Sequence, residues 1–312
     1  MTHHEDDRLV PCLAQASTPG YLASPLPAVD DSEGARVPEG LPRIVDAHVH
    51  VFPERLFRAI WKWFDTWGWP IRYKILAPAV IDYLRSRGVD HTVLLHYAHK
   101  PGIARGLNRF VAELVSEHSS SSGVATVFPG EPDTEAILRE AFAMGLKGVK
   151  LHCHVQCMAP DDPALEAVYR TAVAHDQPVV IHAGREPKSP GYRCDPHLLC
   201  SADRVKAVLD AYPDLRLCIP HLGADEFEAY ARLLESRDNL WLDTTMALAG
   251  YFPDQVPWDL VRLRPERVMY GTDFPNIPFA WDRELRRLAD AGLSAPALAQ
   301  VLGGAATAFF RL

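Results

Sequence analysis

The chain of 312 residues has no apolar run long enough to cross a bilayer, which argues against a helical membrane protein. Positive charge is in short supply. Lysine and arginine number 32 against 40 acidic residues, a net charge of −8, so nothing general attracts nucleic acid or an anionic membrane surface. Cysteine is sparse, with six residues (Cys12, Cys153, Cys157, Cys194, Cys200 and Cys218) too thinly spread to read as a disulfide framework. Cys218 lies inside an apolar run and reads as a small core residue. The opening residues Met1–Asp7 are polar and acidic, without the basic-then-apolar order of a secretory leader, so the cytoplasm is the expected location. A phosphate-cradling glycine motif is also missing after the first strand-like run, which weakens a dinucleotide-binding reading.

What is present is a globular composition, 48% hydrophobic and 23% charged, arranged as a long alternation. Residues 1–41 stand apart. They carry Pro11, Pro19, Pro25, Pro27 and Pro38, an acidic cluster at Asp30-Asp31-Ser32-Glu33, and no sustained periodicity, and they read as a flexible or loosely docked extension. Its stretch Tyr21–Leu26 could either pack on the body or remain free. From residue 42 to 312 eight strand-like runs follow, at 43–50, 91–96, 123–128, 148–152, 178–182, 215–221, 240–244 and 267–273. Between them lie helix-spaced apolar sets such as Ile137, Leu138, Ala141 and Phe142, then Leu165, Val168, Tyr169 and Ala172, then Val205, Val208 and Leu209. Strands alternating with helices pair in parallel through right-handed crossovers. Eight such units predict a (β/α)8 barrel, a TIM-barrel fold, in preference to an open doubly wound sheet.

Functional groups of a barrel gather where its strands end. The first run ends in His48-Val49-His50, and alternate residues of a strand face the same way, so both imidazoles project together. The fifth run ends in His182, the sixth in His221 and the eighth in Asp273. Closure of the barrel brings these five to one mouth. Neutral imidazole and carboxylate are good ligands for zinc or a similar divalent ion, and three histidines with one aspartate leave coordination room for water and a substrate oxygen. Taken singly, each residue also has a blander reading: a strand-end histidine as an ordinary core or loop residue, Asp273 as a turn or helix cap, His221 as a group that orients a ligand.

These motifs together resemble the amidohydrolase superfamily. They are His48-Val49-His50, Gly148-Val149-Lys150-Leu151-His152, Val180-Ile181-His182-Ala183-Gly184, His221-Leu222-Gly223 and Tyr270-Gly271-Thr272-Asp273-Phe274-Pro275. The closer likeness is to its amidohydrolase-related branch of metal-dependent hydrolases and non-oxidative decarboxylases, and it runs from about Ile44 to the C-terminus. The resemblance implies that His48, His50, His182 and Asp273 hold one metal, zinc first and manganese next, with His221 close by as a catalytic or weakly ligating group. It implies a small organic acid as substrate, and dimers are common among similar proteins. Binuclear relatives carry a carbamylated lysine at the end of the fourth strand. Here that end is His152, with Lys150 two residues earlier, which favours one metal; a second metal using Lys150 or His152 is the alternative. In the implied mechanism the ion acidifies a water and polarises a substrate oxygen, Asp273 accepts the proton, and His221 stabilises the oxyanion. In the decarboxylase version the ion chelates substrate, and His221 or Asp273 protonates carbon. Val149-Lys150-Leu151-His152 looks more like the hydrolase members. A non-catalytic binding barrel is the reading from a different class, and the full ligand set argues against it.

Other features are less specific. Lys150, His152 and Asn276 are candidate substrate contacts, and Arg185, in the loop after His182 with Lys188 and Arg193, could clamp a substrate carboxylate. His96, His99 and Lys100 follow the second run and either line the mouth or sit on a surface loop. The stretch His152-Cys153-His154-Val155-Gln156-Cys157 matches no zinc-finger spacing, so a structural zinc there is the weaker reading. Four tryptophans within Trp61–Trp69 follow the first run and should overhang the mouth as an aromatic wall, a subunit interface or plain core.

Overall fold

Among the described residues, eight short strands, all paired in parallel, carry the chain around a closed ring. The computed structural model describes residues 28–252 and 256–312. The strands are β1 Val45–His50, β2 His91–Leu95, β3 Ser121–Gly123, β4 Val149–His152, β5 Val179–His182, β6 Leu217–Ile219, β7 Leu240–Asp243 and β8 Val268–Met269. They form two ladders, β1-β2-β3 and β4 through β8 in order. Single bridges join the ladders at both seams, Ala125 to Val149 and Val49 to Phe274, so the ring closes as a (β/α)8 barrel. Among the described residues no helix is long and apolar enough to cross a membrane.

Two apolar layers follow from the strand alternation. Outward-facing residues such as Val149, Leu151, Val179, Ile181, Leu240 and Leu242 join the core shared with the helices, where Ile137, Leu138, Leu165, Val168, Tyr169 and Val205 meet them as their spacing predicts. Inward-facing Val93, Leu95, Val124, Val180, Cys218, Trp241 and Met269 fill the barrel, and Phe309 and Phe310 of the helix Ala305–Phe310 plug its lower end. Cys218 is fully buried there. With these side chains packing the barrel, its candidate metal-ligating groups are left near the strand ends.

Three runs are markedly shorter than their apolar patterns predict: 123–128, 267–273, and 215–221, of which only Leu217–Ile219 pairs as β6 while His221 opens a short helical turn. In the run 123–128, β3 ends at Gly123 and the chain then changes partner. Val124 still donates to Leu94 O (3.1 Å), but Ala125 donates to Gly148 O (2.8 Å) and accepts from Lys150 N (2.7 Å). In the run 267–273, Tyr270 donates to Val301 O (2.8 Å) in the C-terminal helical region, so β8 stops after two residues. The chain then rejoins β1, with Asp273 donating to His48 O (2.9 Å) and His50 donating to Phe274 O (2.7 Å).

Residues 1–27 of the N-terminal extension, Tyr21–Leu26 included, lie outside the described residues. The part from 28 to 41 is held against the barrel. Asp31 pairs with Arg283 (2.7 Å), Glu33 accepts from Tyr73 and from Tyr83 (3.0 Å), and Trp281 Nε1 donates to Gly34 O (3.1 Å).

Candidate metal centre

β1 carries a register shift between Asp46 and Val49. Upstream of it Val45 and Ala47 belong to the interior core, and downstream His48 and His50 turn to the open end. A bulge adds one residue to a strand and re-aims the side chains beyond it. Opposite β1, Asp273 ends the chain's return from β8 in a left-handed conformation (φ 66°), and His221 after β6 is left-handed too (φ 59°). Such conformations cost a non-glycine residue about 1–3 kcal/mol and collect at functional sites. Gly271 allows the close approach beneath them, since a Cβ there would stand 2.8 Å from His48 Cβ and 2.6 Å from Thr245 Oγ1.

The structure brings His48, His50 and Asp273 together, each offering a ligand atom within 4.8 Å of the others. Asp273 Oδ1 lies 3.0 Å from His50 Nε2 and 3.3 Å from His48 Nε2. His48 Nδ1 lies 2.8 Å from Asp243 Oδ2 and donates its proton there. His48 Nε2 therefore carries a lone pair and faces another acceptor, Asp273 Oδ1. Two acceptors this close favour an electropositive group beside them, a place that Lys150 Nζ fills on the His48 side. Ligand bonds of about 2.1 Å set neighbouring donors about 3.0–3.4 Å apart, so the spacing suits a divalent cation. Lys150 is fully buried, with Nζ 3.4 Å from His48 Nε2.

His182 is set differently. Its β5 position pairs with His152 of β4, so the two rings stack, 4.2 Å apart and 9° from parallel. With His154 they form a second group of three histidines within 4.8 Å. Neither Cys153 nor Cys157 belongs to either group. His182 reaches the first group through His221: its Nδ1 is 3.0 Å from His221 Nε2, and His221 Nδ1 donates to Thr245 O (2.8 Å).

Electrostatics keep this imidazole set in its ligating form. Burial, with the Lys150 ammonium behind it, pulls His48 down to about 4. Burial first and neighbouring imidazoles second push His182 and His152 well below their usual value, and burial lowers His221. These rings are neutral at pH 7, and neutral imidazole is what binds a metal. Burial would raise Asp273, but the His50 hydrogen bond and nearby imidazoles overcome it and hold the carboxyl far below its ordinary range. Burial likewise lowers Lys150, against the pull of Asp243 and Asp273.

Of the remaining candidates, Asn276 lines the cleft above the centre and its buried Oδ1 has no hydrogen-bond partner. Arg185 does not line the cleft. Its guanidinium grips Asp225 through two bonds (2.9 and 3.0 Å), with Glu226 at 3.6 Å. Lys188 pairs with Asp195 (2.7 Å), Arg193 and Lys100 are exposed, and His96 is buried with Nε2 3.0 Å from Asn108 Oδ1. The tryptophans divide their work. Trp69 lines the cleft and donates to Asn276 O (2.8 Å), Trp63 packs on Tyr192 (4.9 Å between rings), Trp61 is core and Trp67 is exposed.

Several residues of the site were not singled out from sequence. Asp243 ends β7 as Asp273 ends the eighth run, so the same strand-end rule could have found it. Asp46 accepts from Thr272 Oγ1 (2.6 Å), Thr272 N and His48 N (both 3.1 Å), clamping the bulge of β1 to the Asp273 turn. Gln156 accepts from His152 N (2.9 Å) and donates to Ala98 O (2.9 Å) and Val127 O (3.0 Å), tying three strand-end loops together.

A family model described as amidohydrolase matches residues 45–312. The chain belongs to the amidohydrolase family. No curated protein matches its sequence. Solved structures share the TIM-barrel fold of this amidohydrolase at low identity. An uncharacterised TIM-barrel protein from Bordetella bronchiseptica aligns with a TM-score of 0.66 at 16% identity, covering 86% of this chain and 99% of its own. A 5-carboxyvanillate decarboxylase from Novosphingobium aromaticivorans, complexed with manganese and 4-hydroxy-3-methoxy-5-nitrobenzoic acid, aligns at 0.63 and 17%, covering 90% and 99%. A probable 2-pyrone-4,6-dicarboxylic acid hydrolase from Acinetobacter baumannii, with citric acid bound, aligns at 0.60 and 15%, covering 87% and 100%.

Proposed function

We propose that this amidohydrolase is a metal-dependent hydrolase of an ester, lactone or amide bond in a small organic acid. The observation that carries the reading is the ionised Asp273 carboxylate held 3.0 Å from His50 Nε2 and 3.3 Å from His48 Nε2, at the rim of the cleft. His48, His50 and Asp273 would hold one divalent ion, zinc first and manganese second, and His182 would join as the fourth ligand by giving up its contact with His221 Nε2 (3.0 Å) or with Glu186 O (3.2 Å). When bound, the ion acidifies a water and polarises a substrate oxygen. Asp273, kept ionised by its neighbours, takes the proton of the attacking water and returns it to the leaving group. His221 Nδ1 donates to Thr245 O, which leaves Nε2 as an acceptor, able to take a proton from water or a substrate hydroxyl. Asp243 fixes His48 from behind.

Decarboxylation of an aromatic or unsaturated acid is the second reading. It is favoured by the aromatic wall of the cleft, which can exclude water, and by the decarboxylase among the structural relatives. A proton that Asp273 or His221 Nε2 first takes from a substrate hydroxyl or a water would then pass to carbon as carbon dioxide leaves.

The metal content of purified protein, of Asp273→Asn and of His50→Ala tests the centre. Near-stoichiometric metal in wild type and its loss in both variants is expected, and full occupancy in both variants refutes the ligand assignment. Wild type is then assayed on aryl esters, lactones and hydroxybenzoates for acid production and carbon dioxide release. Carbon dioxide release without hydrolysis replaces the first reading with the second.

A further inference from the structure

The walls of the cleft carry an unusual balance of chemistry. Phe64, Trp69, Tyr97, Tyr192, Tyr251 and Phe252 face it, and no lysine or arginine among the described residues lines it. The cations nearest in sequence to the strand ends are already committed or turned away. Lys150 is sealed beneath His48, Arg185 grips Asp225, Lys188 holds Asp195, and Arg193 and Lys100 are exposed. The charged side chain that lines the cleft outside the candidate ligands is an anion, Glu186, whose backbone O lies 3.2 Å from His182 Nε2. It is 3% exposed, with Oε1 3.0 Å from His197 Nε2 and Oε2 accepting from Lys188 N (2.8 Å). The other polar groups along the walls are neutral: the residues Tyr97, Tyr192 and Tyr251, and the Asn276 amide, whose Oδ1 is buried without a partner.

We propose, building on the metal-centre reading above, that the substrate carries a single acidic or acyl head, directed at the centre, on an uncharged aromatic or alicyclic ring. A second carboxylate on that ring would be buried against aromatic faces with no cation to meet it and with Glu186 nearby. A buried charge without a partner is strongly disfavoured, and a like charge adds to the penalty. An apolar substituent at the same place gains contact area with the wall instead. Glu186 is thus a specificity residue that excludes diacids, and Asn276 hydrogen-bonds a neutral substituent such as a hydroxyl. A ring carrying two carboxylates, as in a pyrone dicarboxylate, is the kind of molecule this cleft rejects.

Direct binding tests this without any turnover. Zinc-loaded full-length protein is titrated calorimetrically with salicylate, 5-methylsalicylate and 5-carboxysalicylate, which differ only in the group placed against the wall. The 5-methyl compound should bind as tightly as salicylate or tighter, and the 5-carboxy compound at least tenfold more weakly than the 5-methyl. Glu186→Gln should narrow that gap by about threefold or more, with 5-methylsalicylate affinity kept. Equal or tighter binding of 5-carboxysalicylate overturns the inference, as does the absence of binding by all three. Metal content measured on the same sample reports separately on the centre, so a protein that holds zinc but prefers the diacid refutes the substrate class alone.

Discussion

Replacing Asp243 by asparagine isolates a contribution that touches neither substrate nor ion directly. Asp243 is 1% exposed, Oδ2 accepts the His48 Nδ1 proton at 2.8 Å, and Oδ1 accepts from His221 N at 3.1 Å. Burial would raise its carboxyl, but the charge and hydrogen bond of His48 outweigh burial and keep it below the ordinary carboxylate range. Asparagine preserves shape and one acceptor but removes the charge and the certainty of the tautomer. A charge-assisted hydrogen bond is worth about 1.5–3 kcal/mol, and mutating such a carboxylate–imidazole partner typically lowers metal affinity about 10–100-fold. Competition for zinc against a chromophoric chelator should show a loss in that range in Asp243→Asn. Circular dichroism and melting in excess zinc check that the barrel is retained. A folded variant with wild-type zinc affinity, within a factor of two, would refute the claim that Asp243 orients His48 for a metal.

Three further outcomes follow from other parts of the molecule. Arg185→Ala should change turnover on any accepted substrate by less than about threefold, because its guanidinium faces Asp225; partly exposed pairs of this kind contribute about 0–1 kcal/mol, and a hundredfold rise in KM would restore it as a carboxylate clamp. Gly223→Ala should lower the melting temperature by several degrees and reduce metal binding, since the added Cβ would stand 2.0 Å from the Tyr230 ring at φ +89°, two residues from His221; a variant as stable as wild type contradicts the packing argument. The metal-free protein should lose stability as pH falls from 6.5 towards 4. His96 is depressed by burial from 6.5 to about 4, so the unfolded chain binds the proton first and stability rises with pH across that window, by at most about 3 kcal/mol from this residue. Urea unfolding of apoprotein at pH 7 and pH 5 measures it, and a Gln variant of His96 should show a smaller difference between the two.

The fold and the meeting of candidate ligands at its strand ends were legible because they ride on period and position. Val-rich runs alternating with helix-spaced apolar residues specify a parallel barrel, and strand ends specify where polar residues meet, so His48, His50, His182, His221 and Asp273 could be assembled before any coordinates. Three things were not legible, each for a physical reason. The bulge in β1 has no sequence mark, yet it lets Val45 and Ala47 fill the barrel while His48 and His50, of mixed parity with them, still face the site. Pairing between distant charges is equally silent: Arg185 follows His182 closely and looks free, but its partner Asp225 is 40 residues on. The grouping of His182 with His152 and His154 depends on strand register, which levels residues 152 and 182.

The cleft walls were the least legible of all, and the reason bears on how barrels of this kind diverge. Tyr192 comes from the loop after β5 and is held by Trp63 (4.9 Å between rings), which follows β1, and by His154 (5.2 Å), which follows β4. Tyr251 comes from the segment after β7 and meets Trp69 at 6.2 Å. None of these contacts is set by hydrophobic period or strand pairing; each depends on where several loops settle against one another. The candidate metal-centre groups are instead fixed by backbone ladders, through Asp273 N to His48 O and His50 N to Phe274 O. Loop side chains can therefore change without disturbing the strand ends, which separates what shapes the cleft walls from what holds the candidate ligands in place.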